Sequence, residues 1–166
     1  MGAHISSDPA RQVMDSVRRL VRLLRVFDSQ AQKSAGLSAA QVFVLRQLRD
    51  GKEASINQLA ARTRTDQSSV SAVVTKLVEA GLIHRQRSAQ DRRSALVTIT
   101  PRGLSLLRIA PPAAQERLIA ALGRMRPDSR QHLAELLAQL IQKTGIHRSE
   151  PGMFFEDHHN KRGKND

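Results

Sequence analysis

The start of the chain carries apolar residues at steps of three and four positions, with charged residues between them. From Arg11 to about Ser34 this spacing predicts one long amphipathic helix, because such steps return to the same helical face. Gly36 is expected to end this helix, since glycine adopts the left-handed backbone conformation without strain. The apolar face consists of Val13, Val17, Leu20, Val21, Leu24, Phe27 and Ala31.

Two capping boxes predict the starts of the next two helices. Ser38 is followed three positions later by Gln41, and Ser55 is followed in the same way by Gln58. In each pair the two side chains can bond the otherwise unpaired backbone N–H groups of a helix start. The chain is therefore expected to form a short helix after each of these serines.

A further helix follows a turn around Arg62 to Arg64. Either Thr65 or Asp66 can cap its start, and Gly81 is placed to end it. Two short helices joined by about four residues are typical of a helix-turn-helix. The apolar face of the second of these helices consists of Val70, Val73, Val74, Leu77 and Val78.

After Gly81 the helical periodicity stops. The stretches LIHRQR and ALVTIT alternate or contain β-branched residues, and the polar stretch SAQDRRS separates them. This pattern predicts a β-hairpin with a charged tip.

Helical patterning returns in the last third of the chain. Thr100 and Pro101 supply an N-cap and a first-turn proline, and the helix they begin is expected to kink or break near Ile109 and Ala110, ahead of two prolines. Pro127 begins a last helix with a leucine-rich face. From Ile146 onward the chain is polar and aperiodic, which predicts a disordered tail.

These elements predict a mainly α protein in which the helix-turn-helix is followed by a small β-hairpin, called the wing below, and is flanked by long helices. The apolar faces of the first and last helices are more than this small central region can cover, which favours a two-fold dimer.

The composition adds a large positive charge. The chain has 27 Lys and Arg against 15 Asp and Glu, a formal net charge of +12, and the stretch from Ser55 to Gly103 holds eight basic and three acidic residues. Such an excess favours a polyanionic partner, either a nucleic acid or an anionic membrane surface. The chain has four Phe and no Trp or Tyr, which argues against base stacking on single strands, and it has no Cys for thiol chemistry.

The helix that follows the turn is the candidate for the major groove of duplex DNA, which admits one α-helix. Its first half carries small or amide side chains that can bond base edges, and the next turn carries groups suited to the DNA backbone. The predicted contacts of this recognition helix are Gln67, Ser68, Ser69 and Ser71, followed by Thr75 and Lys76.

The charged hairpin is the candidate for the adjacent minor groove, where arginine is favoured by the negative potential of narrow A·T tracts. Asp91 lies two positions before Arg93 and can pair with an arginine to fix its direction. The predicted residues of the wing are Arg85, Arg87, Asp91, Arg92 and Arg93.

The stretches SVSAVVTKLVEAGLIHR and DRRSALVTITPRG resemble the MarR family of bacterial transcription regulators. Ile99 stands where the family has Leu, which is a conservative difference within a strand. The resemblance covers about Arg11 to Gly145. The matching positions are Leu77, Gly81, Leu82, Ile83, Arg85, Asp91, Arg93, Thr100 and Gly103.

This resemblance implies a mainly α fold with a small β wing, built as a winged helix-turn-helix core plus a helical dimerisation region. The expected organisation is an N-terminal arm at 1–10, dimerisation helices at 11–36 and 101–145, a DNA-binding domain at 37–100, and the tail at 146–166. The resemblance further implies a homodimer built from the first and the last two helices and a pseudo-palindromic DNA operator. It also implies a repressor that a small aromatic or anionic ligand releases from DNA. Within the wing, it implies that Asp91 orients the hairpin and that Arg93 enters the minor groove.

No enzymatic function is predicted, because the sequence has no Gly-rich phosphate loop, no paired carboxylates at a repeated spacing and no recognisable Ser/His/Asp signature. No cofactor and no metal site are expected either, since the six His lack metal-ligand spacing. The sequence has no apolar run long enough for a membrane span and no signal peptide, so a cytoplasmic location is expected.

Two alternatives stay open. A non-specific architectural protein would show the same charge, and a basic first helix could bind membranes. If that helix binds no membrane, its arginines are interpreted as a solvent-exposed face. The tail side chains without an assigned role are Phe154, Phe155, His158 and His159.

Overall fold

The computed structural model of this protein describes residues 8–87, 95–145 and 152–154. Seven helices and three short strands follow one another within these ranges. Their order confirms the mainly α fold with a small sheet. The elements are α1 (Pro9–Ala35), α2 (Ala39–Gln47), β1 (Ala54–Ser55), α3 (Ile56–Thr63), α4 (Gln67–Glu79), β2 (Ile83–Arg87), β3 (Ala95–Ile99), α5 (Pro101–Ile109), α6 (Ala114–Arg124) and α7 (Pro127–Lys143).

The long helix α1 has two different halves. Asp8 accepts a hydrogen bond from the N–H of Ala10 at its start, and Gly36 ends it with φ 66°, as its position predicted. Leu24 and Ala31, in the second half, are buried against the rest of the chain, whereas the apolar residues of the first half are exposed. Only the second half of the predicted apolar face is therefore covered within one chain.

The core lies where α2, α3 and α4 meet the sheet. Both predicted capping boxes are formed, at Ser38 with Gln41 and at Ser55 with Gln58. These caps fix the starts of α2 and α3, and both helices then turn their apolar faces inward. The large side chains that are fully buried there include Phe43, Leu45, Leu48, Leu59, Val74 and Leu77.

The sheet has the strand order β1-β3-β2 and is antiparallel throughout. The hairpin pairs Ile83 with Ile99 and Arg87 with Ala95, as the alternating pattern predicted. Strand β1 was not predicted, because its two residues are too short to show a period of two. It pairs Ala54 with Val97 and joins the hairpin to the start of α3.

The predicted interruption after α5 is a complete break. Ala110 is extended with ψ 141°, and the chain resumes a helical course only at Ala114. The new helix α6 is tied to α2 by an ion pair, in which Arg46 Nε lies 2.8 Å from Glu116 Oε2. This break lets α6 leave the direction of α5 and lie against α1 and α2.

The last described segments differ from each other in burial. Helix α7 has no buried residue, whereas Met153, in the stretch expected to be a disordered tail, is 4% exposed and belongs to the core cluster. Phe154 beside it is 50% exposed. Phe155, His158 and His159 lie outside the described residues, and the described helices include none that is long and apolar enough to cross a membrane.

Candidate nucleic-acid interface

Helix α4 divides into a buried and an exposed face. Val70, Val73, Val74 and Leu77 are at most 1% exposed and pack into the core. On the opposite side, Ser68 and Thr75 are exposed. This separation places the predicted recognition helix at the surface of the winged core, with its polar side outward.

Asp66 caps α4, which decides between the two predicted candidates. One carboxylate oxygen accepts from the backbone N–H of Ser69 at 2.8 Å and from the hydroxyl of Ser68, and the other accepts from the hydroxyl of Ser69 at 2.7 Å. The hydrogen bonds from Ser68 and Ser69 lower the pKa of Asp66 to about 2. Asp66 is therefore ionised at neutral pH and acts only as an acceptor.

Ser69 is buried, although the sequence grouped it with the exposed serines of α4. Its side chain is 6% exposed, and both its hydroxyl and its backbone N–H bond Asp66. Such a residue is a structural part of the helix cap. The structure thus speaks against the predicted base contact by Ser69, which the sequence did not separate from the exposed serines.

The other predicted residues of α4 are distributed around its outer side. Gln67, Ser68 and Thr75 are exposed, and Ser71 and Lys76 are half-buried. The hydroxyl of Thr75 donates to the carbonyl oxygen of Ser71 at 2.9 Å. All five side chains lie at the start of α4 or on the side of it that faces away from the core. They differ in whether their polar groups already form hydrogen bonds within the helix.

Ala72 is a surface position that the sequence analysis missed. A helix of 3.6 residues per turn places positions three and four apart on one face, so Ala72 lies between Ser68 and Thr75. It is half-buried and small. Alanine can contact a thymine methyl group in the major groove. Its apolar side chain gave no signal in the sequence, because alanine carries no group that can form a hydrogen bond.

The turn before α4 is tighter than predicted. Helix α3 continues through Thr63, so Arg62 belongs to it, and its Nη1 donates to the carbonyl oxygen of Gln47 at 3.0 Å. Arg64 caps α3 in the left-handed conformation with φ 53°. This exposed basic residue lies three positions before Gln67, the first residue of α4. Glycine, the usual marker of such a position, is absent, so the sequence gave no indication of it.

The structure describes the two strands of the wing, β2 and β3, at the base of the hairpin. Arg85 is exposed on β2, and the backbone of Arg87 pairs with Ala95. The side chain of Gln86 donates to a carboxylate oxygen of Glu53, which attaches β2 to the loop before β1. The other predicted wing residues, Asp91, Arg92 and Arg93, lie outside the described residues.

Across the described ranges, no group of three or more His, Asp or Glu side chains is placed to hold a metal ion. What the described surface does present is small hydroxyl and amide side chains on α4, with arginines beside it.

These features define a winged helix-turn-helix protein. The sequence model of the MarR family matches residues 35–94. An uncharacterised HTH-type transcriptional regulator of Mycobacterium leprae is 30% identical over 145 residues, which cover 86% of this chain and 96% of the relative. The chain belongs to the MarR family and is a DNA-binding transcription regulator.

Solved structures agree with this assignment. BpsR of Bordetella bronchiseptica, whose DNA binding is regulated by 6-hydroxynicotinic acid, is 32% identical; the match covers 78% of this chain and 98% of that chain with a TM-score of 0.53. Sco3205, a MarR family regulator from Streptomyces coelicolor solved in complex with DNA, is 24% identical, with 86% and 95% covered and a TM-score of 0.57. The second likeness supports the fold.

Proposed function

We propose that the protein is a homodimeric repressor that binds a pseudo-palindromic operator and leaves it when a small aromatic or anionic ligand binds. The observation that carries this proposal is the outer face of α4, which presents small side chains at the surface of the winged core. Small residues let a helix approach base edges closely, and hydroxyl and amide groups can bond them. A repressor of this kind acts in the cytoplasm, together with the chromosome.

The proposed contacts on α4 follow from exposure and chemistry, and those at the tip of the wing follow from the sequence alone. On α4 and the turn before it we include Arg64 and Ala72 with the predicted residues and leave out the buried Ser69. In the wing, the arginines contact the minor groove and Asp91 orients them. The set is Arg64, Gln67, Ser68, Ser71, Ala72, Thr75, Lys76, Arg85, Arg87, Asp91, Arg92 and Arg93.

The proposed dimer is supported by apolar side chains that a single chain leaves in contact with solvent. Soluble monomers rarely expose large contiguous apolar patches, and a two-fold axis would place two copies of α4 about one DNA turn apart. The exposed apolar residues of α1 and α7 are Val13, Met14, Val17, Leu20, Val21, Val26, Leu136, Leu137, Leu140 and Ile141.

The proposed ligand class is supported by a relative. BpsR, at 32% identity, has its DNA binding regulated by 6-hydroxynicotinic acid, a small aromatic acid. A chain with a net charge of +12 offers ample positive charge for an anion of this type.

The experiment that tests the function is selection from a duplex library with about 30 randomised base pairs, followed by titration of the selected and a shuffled duplex at two salt concentrations. We expect two inverted half-sites with centres about 10 base pairs apart, and selective binding that persists at the higher salt. Equal binding to both duplexes that is lost with salt would instead indicate an architectural protein.

A further inference from the structure

The two outward hydroxyl groups of Ser68 and Thr75 are held in a defined direction. A serine or threonine hydroxyl has one hydrogen to donate and two lone pairs that accept. Ser68 gives its hydrogen to the carboxylate of Asp66, and Thr75 gives its hydrogen to the carbonyl oxygen of Ser71. Both oxygens therefore turn only lone pairs toward the surface.

The bond from Ser68 is the stronger of the two, because its acceptor is charged. The low pKa of Asp66 keeps the carboxylate ionised at neutral pH, and hydrogen bonds to an ionised acceptor are stronger than those between neutral groups. The same carboxylate is fixed in place by the backbone N–H and the hydroxyl of Ser69. Turning the Ser68 hydroxyl away would remove one hydrogen bond from this arrangement.

This direction restricts what Ser68 can contact in DNA. Phosphate oxygens, guanine N7 and O6, and thymine O4 are acceptors, and a hydroxyl without a free hydrogen cannot bond them. The donors in the major groove are the N4 amino group of cytosine and the N6 amino group of adenine. The negative charge of Asp66 beside Ser68 also disfavours a phosphate and favours a donor.

We propose that Ser68, oriented by Asp66, selects a cytosine or adenine at one position of each half-site by accepting a hydrogen bond from its exocyclic amino group. The proposal rests on the proposed function, in that α4 is taken as the helix that enters the major groove. It differs from the expectation that every serine of this helix can serve a base or a phosphate.

Ser71 is the matched comparison within the same helix. It is half-buried on the same face as Ser68, and no acceptor among the described residues takes its hydroxyl hydrogen. Its hydroxyl can therefore donate as well as accept. Replacing either serine by alanine removes one oxygen from the helix surface, but only Ser68→Ala removes an oxygen restricted to accepting.

The test uses the selected operator with single base analogues in one half-site. Each adenine is replaced in turn by nebularine, which lacks the N6 amino group, and each cytosine by 2-pyrimidinone, which lacks the N4 amino group. At one position we expect the wild-type protein to lose roughly three- to tenfold in affinity. Ser68→Ala should bind the natural duplex and that analogue duplex with equal affinity. Ser71→Ala should show the same loss of affinity on the analogue as the wild type.

Comparing variants on the same duplexes separates the amino group from its effect on base pairing, because any change in the DNA itself is common to all three proteins. A further analogue, 7-deazaguanine, lacks the N7 acceptor of guanine. If it lowers the affinity of the wild type but not that of Ser68→Ala, Ser68 donates to DNA and the proposal is overturned. If Ser68 couples to no analogue while the wild type still selects its operator, the proposal is overturned and the proposed function stands. Loss of sequence selection by the wild type would overturn both.

Discussion

The winged core, formed by α2, α3, α4 and the sheet, buries its apolar side chains within one chain, whereas α1 and α7 leave much of theirs in solvent. Phe43 and Leu59 in the core are at most 1% exposed, while Leu137 and Ile141 on α7 are 45% and 54% exposed. Burial of apolar area is the main favourable term in folding. The core is therefore covered within a single chain, whereas the exposed apolar faces of α1 and α7 are the surfaces that the proposed dimer would cover.

The helix starts of the core differ from those of α6 and α7. Each of the core helices α2, α3 and α4 begins with a side chain that accepts a hydrogen bond from a backbone N–H group. These accepting side chains belong to Ser38, Ser55 and Asp66. Helices α6 and α7 begin after Ala113 and Arg126, where no side chain makes this bond. A cap contributes about 1 kcal/mol. The sequence thus stabilises the core helices locally and leaves α6 and α7 to depend on packing.

The largest effect is expected from charges placed on the exposed face of α7. Leu137→Asp together with Leu140→Asp would put four carboxylates into the interface of the proposed symmetric dimer, in place of four leucines that contribute about 1.5 kcal/mol each. We expect Kd for dimerisation to rise by about four orders of magnitude. Sedimentation equilibrium measures this change, and thermal unfolding followed by circular dichroism checks that the core remains folded.

The control adds the same charge to the same helix on its other side. Ala138→Asp together with Gln139→Asp lies away from the leucine face and should leave dimerisation within severalfold of the wild type, because surface substitutions change stability by about 0.5 kcal/mol or less. Equal dimer affinity in both double variants would show that α7 is not at the interface.

The local signals explain how much of the fold could be predicted. Gly36, Ser38 and Ser55 each mark a helix end through hydrogen bonds or dihedral angles that involve only a few neighbouring residues. Thr100 caps α5 in the same way, by accepting from the N–H of Gly103 at 3.0 Å. Such signals depend on nearby chain alone, which is why the helix starts agree closely with the sequence pattern.

The features that were missed depend on residues distant in sequence. Strand β1 exists because Ala54 pairs with Val97, and Met153 is buried because the core covers it. Within α4, the sequence gave Ser68 and Ser69 the same chemistry. Only the packing of the helix shows that one is exposed and the other belongs to the cap.

The second prediction concerns two helical glycines, one at the junction with the core and one in the terminal helices. A Cβ on Gly103 in α5 would overlap the carbonyl oxygen of Leu82 and lie 2.8 Å from Cγ1 of Ile99. Gly103→Ala should therefore lower the free energy of unfolding by about 1–3 kcal/mol, the cost of overpacking. Urea denaturation at fixed protein concentration measures it.

Gly123→Ala in α6 is the matched control, since nothing lies within 4 Å of its added Cβ. Alanine is the better helix former, so this variant should gain about 0.5 kcal/mol. Effects of the same sign and size at both positions would mean that the close approach of α5 to Leu82 does not constrain Gly103.

The smallest effect is expected at the one titratable cap of the core helices. Asp66 has its pKa lowered from 3.8 to about 2 by the hydrogen bonds of Ser68 and Ser69. A depressed folded-state pKa stabilises the protein above the unfolded value and loses that contribution as the pH falls. In the wild type the contribution is therefore complete at neutral pH and declines from about pH 4 toward pH 2.

Asp66→Asn keeps a good N-cap without a titrating group. The difference in unfolding free energy between wild type and variant should therefore be constant from pH 7 to 5 and shift toward the variant from pH 4 downward. Because the remaining carboxylates are common to both proteins, their titration cancels in this difference. Urea denaturation at each pH gives the curve, and a difference independent of pH would show that the charge on Asp66 adds nothing to the cap.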